Sequence, residues 1–138
     1  MITVIDTNIL VGACIGSHSA TEVIARCLHQ KHQPIIGTTL FAEYVDMINS
    51  EKLFERCHLD SAERNALLDI FLASCRWTEI YYGWRPNLRD EGDNHLIELA
   101  VAGHADCIVS RNIKDLVTGE LSFPRIAILT PEQFLHRG

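Results

Sequence analysis

Carboxylates set beside apolar runs are the feature of this 138-residue chain that could do chemistry. Asp6 follows the run Ile2-Thr3-Val4-Ile5 directly, in the tripeptide Asp6-Thr7-Asn8. An Asp there suits a turn or cap, because its short side chain bonds nearby backbone amides. It also stands at the carboxyl end of a predicted strand, where open parallel sheets gather their chemistry. Glu43 has Leu40 and Met47 as its helical neighbours, which predicts a carboxylate on an apolar, inward-facing stripe. Burying an unpaired charge is costly, so such a Glu needs a cation, a pairing partner or a water-lined cleft. Asp90 and Asp93 frame the start of another predicted helix. Asp90 suits capping of the first turn, whereas Asp93 shares a face with Ile97, Ala100 and Val101 and points towards the sheet. A further apolar run ends in Ser110-Arg111-Asn112-Ile113-Lys114-Asp115. These residues read either as turn and surface positions or as a polar rim beside Asp6.

Several acids converging on one cleft repel one another and raise their own proton affinities, and a divalent cation relieves this. A set of oxygen ligands without His or Cys selects hard ions, Mg2+ or Mn2+, over zinc. Such an ion orients water and stabilises charge on a phosphoryl oxygen, so the residue types point to metal-dependent phosphodiester hydrolysis.

The elements that must position these acids follow from the pattern of apolar residues. Near-continuous apolar runs at 2–5, 34–37, 77–81, 107–109 and 126–129 predict strands of a parallel sheet covered on both faces. Stripes at helical spacing predict helices over 19–31, 39–49, 60–74 and 91–103, with 50–76 arranged as a helical hairpin or one bent element. A last short helix begins at Pro131 with Thr130 as its cap. This alternation gives an α/β fold, a three-layer α/β/α sandwich, as one domain spanning 1–138.

Composition narrows the function. The net charge of −6 (12 basic against 18 acidic residues) argues against a broad basic face for nucleic acid, though not against an enzyme that reaches phosphate through a metal. Five widely spaced cysteines without a C-x-x-C pair predict neither a disulfide framework nor a cysteine zinc site, and suit a reducing cytoplasm. The opening residues MITVIDTN lack a basic signal region, and no apolar run has the length of a membrane span. The expectation is a soluble, cytoplasmic protein without a membrane partner. No G-x-G-x-x-G follows a predicted strand, which disfavours dinucleotide binding.

The segments Asp6-Thr7-Asn8, Leu40-Phe41-Ala42-Glu43-Tyr44, Arg89 to Ala100 (RDEGDNHLIELA) and Ala105 to Asn112 (ADCIVSRN) together resemble the PIN-domain ribonucleases. Within that family the likeness is to the VapC-like toxins of bacterial and archaeal toxin–antitoxin pairs. The resemblance implies a PIN-like central parallel five-stranded sheet between helices, and Mg2+- or Mn2+-dependent cleavage of single-stranded or structured RNA. It places the first three acids of the family at Asp6, Glu43 and Asp93, as metal-holding and catalytic residues. The fourth position falls at Asn112, a departure, with Asp115 or Asp90 as substitutes for the missing carboxylate. Thr7, Asn8 and Ser110 become polar supports. A homodimer and a small antitoxin that occupies or distorts the cleft are implied as well.

Arg85, Arg89, Arg111 and Lys114 adjoin the proposed cleft and suit either phosphate contacts or solvated surface charge. The seven histidines show no mutual metal spacing. His29 and His32 are expected at an exposed helix end, and His95 off a different side of its helix from Asp93. Trp77, Tyr81, Tyr82 and Trp84 suit packing in the core or at an edge. A second reading is a catalytically weakened PIN-like RNA-binding or regulatory module, marked by Asn112. A phosphotransfer domain is disfavoured because Asn8 stands where it would place a second Asp.

Overall fold

A computed structural model describes residues 1–79, 94–113 and 126–137. In it the apolar runs become β1 (Ile2–Ile5), β2 (Gln33–Ile36), β3 (Arg76–Trp77), β4 (Cys107–Val109) and β5 (Ala127–Leu129). All are parallel, in the order β3-β2-β1-β4-β5. Thr3 lies opposite Cys107 and Ile5 opposite Val109, while Val109 in turn lies opposite Leu129. Val4, Ile5, Ile35, Ile36, Cys107, Ile108 and Val109 are all buried. Helices cover both faces of the sheet, so these strands have no solvent-facing side to mark with polar residues.

The described residues form six helices around this sheet: α1 (Thr7–Ile15), α2 (His18–Leu28), α3 (Thr38–Ile48), α4 (Ser61–Ser74), α5 (Asn94–Ala102) and α6 (Pro131–Arg137). The architecture is the expected α/β/α sandwich. None of these helices is long and apolar enough to cross a membrane.

The apolar periodicity predicts one helix between the first two strands, over 19–31, and the structure has two. Helix α1 lacks a polar face: Ile9, Leu10, Val11 and Cys14 are buried in a segment with no charged residue. A helix apolar all round carries no stripe for periodicity to find. It ends at Gly16, whose φ of 102° suits glycine, with its N–H donating to Gly12 and Ala13 carbonyls. A Cβ on Gly12 would stand 3.2 Å from that of Ala20, which reflects how closely α1 and α2 approach.

Within 50–76 the structure has turns at 51–56 and a single helix, α4, so the stretch is neither a helical hairpin nor one bent element. Asp60 starts α4 with a reciprocal capping box: Glu63 N donates to Oδ1 at 2.8 Å, and Asp60 N donates to the Glu63 carboxylate at 3.0 Å. Thr130 caps α6 as expected, accepting from Gln133 N at 3.1 Å. His32 corrects its expectation. It lies beyond the end of α2, buried against Phe134 with ring centroids 4.6 Å apart. Trp77 is exposed at the sheet edge and packs edge-on against Phe41.

Candidate active site

The chain places β2 and β3 on one side of β1, then β4 and β5 on the other. That reversal opens a crevice outside the carboxyl ends of β1 and β4, the place where open α/β sheets bind ligands. Asp6 leaves β1 at this point in extended conformation and becomes the N-cap of α1. Its N–H donates to the Val109 carbonyl at 2.9 Å, which ties it to β4. Oδ1 accepts from Thr7 N at 2.7 Å. Oδ2 accepts from Ser110 Oγ at 2.6 Å and Asn8 Nδ2 at 3.3 Å. One oxygen therefore caps the helix while the other joins a polar cluster from the β4 end. Ser110 Oγ also accepts from Asn112 N at 2.9 Å, and Asn8 Oδ1 from Arg111 N at 3.3 Å.

Glu43 reaches the same place from α3. Leu40, Tyr44 and Ile48 bury the inward stripe of that helix. The Tyr44 hydroxyl donates to the carbonyl of Ile5, the residue before Asp6. This bond brings the helix against the end of β1. Glu43 Oε1 accepts from Thr7 Oγ1 at 2.6 Å, and Oε2 lies 3.0 Å from His95 Nε2. Glu43 thus lies at the edge of the inward stripe and has pairing partners of the kind its position calls for. The Glu43 side chain is 39% exposed and engaged by two partners. Thr7 links the two acids, its amide on Asp6 and its hydroxyl on Glu43.

The acids differ in electrostatics. Asp6 is only 5% exposed. Burial raises its pKa above the ordinary 3.8; the bonds from Ser110 and Thr7 oppose this, and the Glu43 charge adds to it. Glu43 is held below the ordinary 4.5, first by the His95 hydrogen bond and against the effect of burial.

Of the residues singled out in the sequence, Asp6, Thr7, Asn8, Glu43 and Ser110 come together. Asn112 is exposed and joins through its backbone amide. The Arg111 side chain is directed to Ser17 Oγ (3.2 Å), Ser19 Oγ (2.9 Å) and Glu132 (3.4 Å). Asp93, Asp90, Asp115, Arg85, Arg89 and Lys114 lie outside the described residues. His95 joins the cluster through Glu43, while its direction relative to Asp93 lies outside the described residues. The signal was the pair His95 and Leu99, four apart, whose second member is buried on the inward face of α5.

Among the described residues no three His, Cys, Asp or Glu side chains form a group able to hold a metal. The donors that are present nevertheless suit a hard divalent cation, being two carboxylates bridged by one threonine, with the Ser110 hydroxyl beside Asp6. A cation beside them would offset the burial and like-charge effects that raise the proton affinity of Asp6.

The family model described as PIN domain matches residues 3–114. A chain from the crystal structure of VapBC2 from Rickettsia felis, bound to a DNA fragment from its promoter, superimposes with a TM-score of 0.61. The identity is 20%, and the match covers 94% of this chain and 98% of that one. At that identity the likeness is one of fold. No curated protein matches.

Proposed function

Because this chain belongs to the PIN-domain family, whose members are generally nucleases that use divalent metal ions, we propose that it is a metal-dependent endoribonuclease. In this reading it is the toxin of a toxin–antitoxin pair and hydrolyses RNA phosphodiesters with Mg2+ or Mn2+. The observation that carries the proposal is the pair Asp6 and Glu43, bridged by Thr7 at the β1/β4 crevice of a PIN fold. Asp6, Glu43 and Asp93 would hold the cation, with Asp90, Asn112 and Asp115 as further candidates. When bound, the cation supplies water activation and stabilises charge on the phosphate.

The residues of the chain do the rest. Ser110 and the Thr7 amide fix the Asp6 carboxylate, the Thr7 hydroxyl fixes Glu43, and Asn8 closes the cluster. Arg111, with Arg85, Arg89 and Lys114, would meet the RNA backbone without reading its sequence. The fold likeness to a chain of a VapBC2 complex supports a small antitoxin partner. A homodimer and a cytoplasmic location complete the proposal.

The test uses purified protein freed of any partner, with a structured RNA and Mn2+ or Mg2+. Asp6→Asn and Glu43→Gln run beside it, with a chelator control. Cleavage that requires metal and falls by at least about 100-fold in both variants is expected. Intact RNA in every lane, with no Mn2+ binding, would select the catalytically weakened RNA-binding module, the reading that uncharged Asn112 favours.

A further inference from the structure

His95 takes no part in the expected acid set, yet among the described residues it is the basic group in contact with an acid of the site. Its Nε2 lies 3.0 Å from Glu43 Oε2, and its side chain is 13% exposed. A carboxylate only accepts, so Nε2 carries the proton and donates. The other ring nitrogen, Nδ1, is buried and has no hydrogen-bond partner among the described residues.

The ring stands on a firm base. Leu96, Ile97, Leu99 and Ala100 of α5 are all buried, and this helix packs on β1, β4 and α3. The Thr7 hydroxyl holds the other Glu43 oxygen at 2.6 Å. The carboxylate is thus gripped at both oxygens by groups on two different elements, α1 and α5. Each oxygen has a second lone pair, so these bonds leave Glu43 able to contact a cation. Hydrogen-bonded partners of this kind orient metal ligands.

We propose that His95 is a positioning residue for Glu43, which donates from Nε2 to Oε2 and so presents the carboxylate to the cation without ligating it. The inference rests on the reading of Asp6 and Glu43 as metal-holding residues. It gives the site a histidine whose role the preference of oxygen-only sites for hard ions leaves untouched, because imidazole stays one bond removed from the metal.

The experiment is calorimetric titration of Mn2+ into the partner-free full chain, for wild type, Asp6→Asn, His95→Ala, His95→Leu and His95→Gln. Thermal melts in chelator accompany each titration. The expected result is a dissociation constant raised about 10–100-fold by His95→Ala and His95→Leu, the second of which fills the volume without a donor. His95→Gln recovers most of the affinity, because its side-chain amide can donate to Oε2. Wild-type or tighter Mn2+ binding in both donor-free variants overturns the inference, as does His95→Gln binding as weakly as they do. If wild type itself takes up no Mn2+, the metal-site reading falls first. Mn2+ binding by wild type that Asp6→Asn abolishes keeps that reading standing whatever His95 does. Should His95→Ala fail to fold, His95→Leu against His95→Gln decides the matter.

Discussion

Asp6 carries two jobs on one carboxylate, and the jobs pull against each other. Oδ1 caps α1, which suits Asp and Asn about equally. Oδ2 sits in a buried polar cluster beside a second acid, which suits a charge only when a cation is present. The pH consequences of the two acids have opposite signs. Asp6 binds its proton more tightly folded than unfolded, so its stabilising contribution is present below about 3.8 and is lost as pH rises through its raised value. Glu43 is lowered, so its contribution is present above about 4.5 and is lost as pH falls. Near neutral pH without metal, the ionised Asp6 is therefore a cost to the fold. Asp6→Asn in chelator should be more stable than wild type by about 0.5–2 kcal/mol near pH 7, with the gap closing towards pH 4. Mn2+ should reverse the order, because it stabilises only a protein that binds it. Thermal melts across that pH range, with and without Mn2+, check both statements. A variant less stable than wild type in chelator at neutral pH would show that the cluster favours the charge unaided.

At the scale of elements, the site depends on where α3 ends as much as on where it begins. Arg64, from α4, is 2% exposed and lies over the Phe54 ring, 4.4 Å from its centre. Its guanidinium donates to the Ile48 carbonyl at the end of α3, to the Leu59 carbonyl and to Glu51. The ion pair is the minor part, because the Glu51 side chain is 78% exposed and its charge is largely screened. Arg64→Ala should cost about 2–4 kcal/mol through unsatisfied carbonyls and lost packing. Glu51→Ala should cost less than about 1 kcal/mol. Denaturant unfolding of the two variants separates these contributions, and equal losses would make the ion pair the main term. The same helices mark what was legible beforehand. Strands β1, β2 and β4 were readable because burial on both faces writes itself as an unbroken apolar run, whereas exposed β3 meets the run predicted at 77–81 only at Trp77. The start of α4 was readable to within a residue, and the inward stripe carrying Glu43 was readable from Leu40. Helix α1 was not, because apolar residues on every side, exposed Ile15 included, erase the periodicity that reveals a helix. Nor was the partner of Glu43. A residue's own helix tells which way it points, and only the packing of α5 against α3 tells what it meets.

Across the whole molecule, the charge balance constrains the RNA binding proposed for this chain. With 18 acidic residues against 12 basic ones, a long strand gains no broad field to lie in. Binding must come from the cleft and a few cations around it. Arg111 is the described member of that group, and it is already engaged by Ser17, Ser19 and Glu132. Arg85, Arg89 and Lys114 are the others named from the sequence. For single strands each neutralised phosphate steepens the log–log dependence of affinity on salt by about 0.7. Four such contacts at most give a slope no steeper than about −3. Arg111→Ala should flatten it by about 0.7, while weakening binding to unrelated RNA sequences by similar factors. Fluorescence anisotropy of a labelled single-stranded RNA on the Asp6→Asn background, with chelator present to exclude the proposed cleavage, gives both numbers. A slope of about −6 or steeper would mean that this acidic chain assembles an extended basic track, by folding or by pairing with a second copy. The Asp6–Glu43 crevice would then place the chemistry, and the track would carry the affinity.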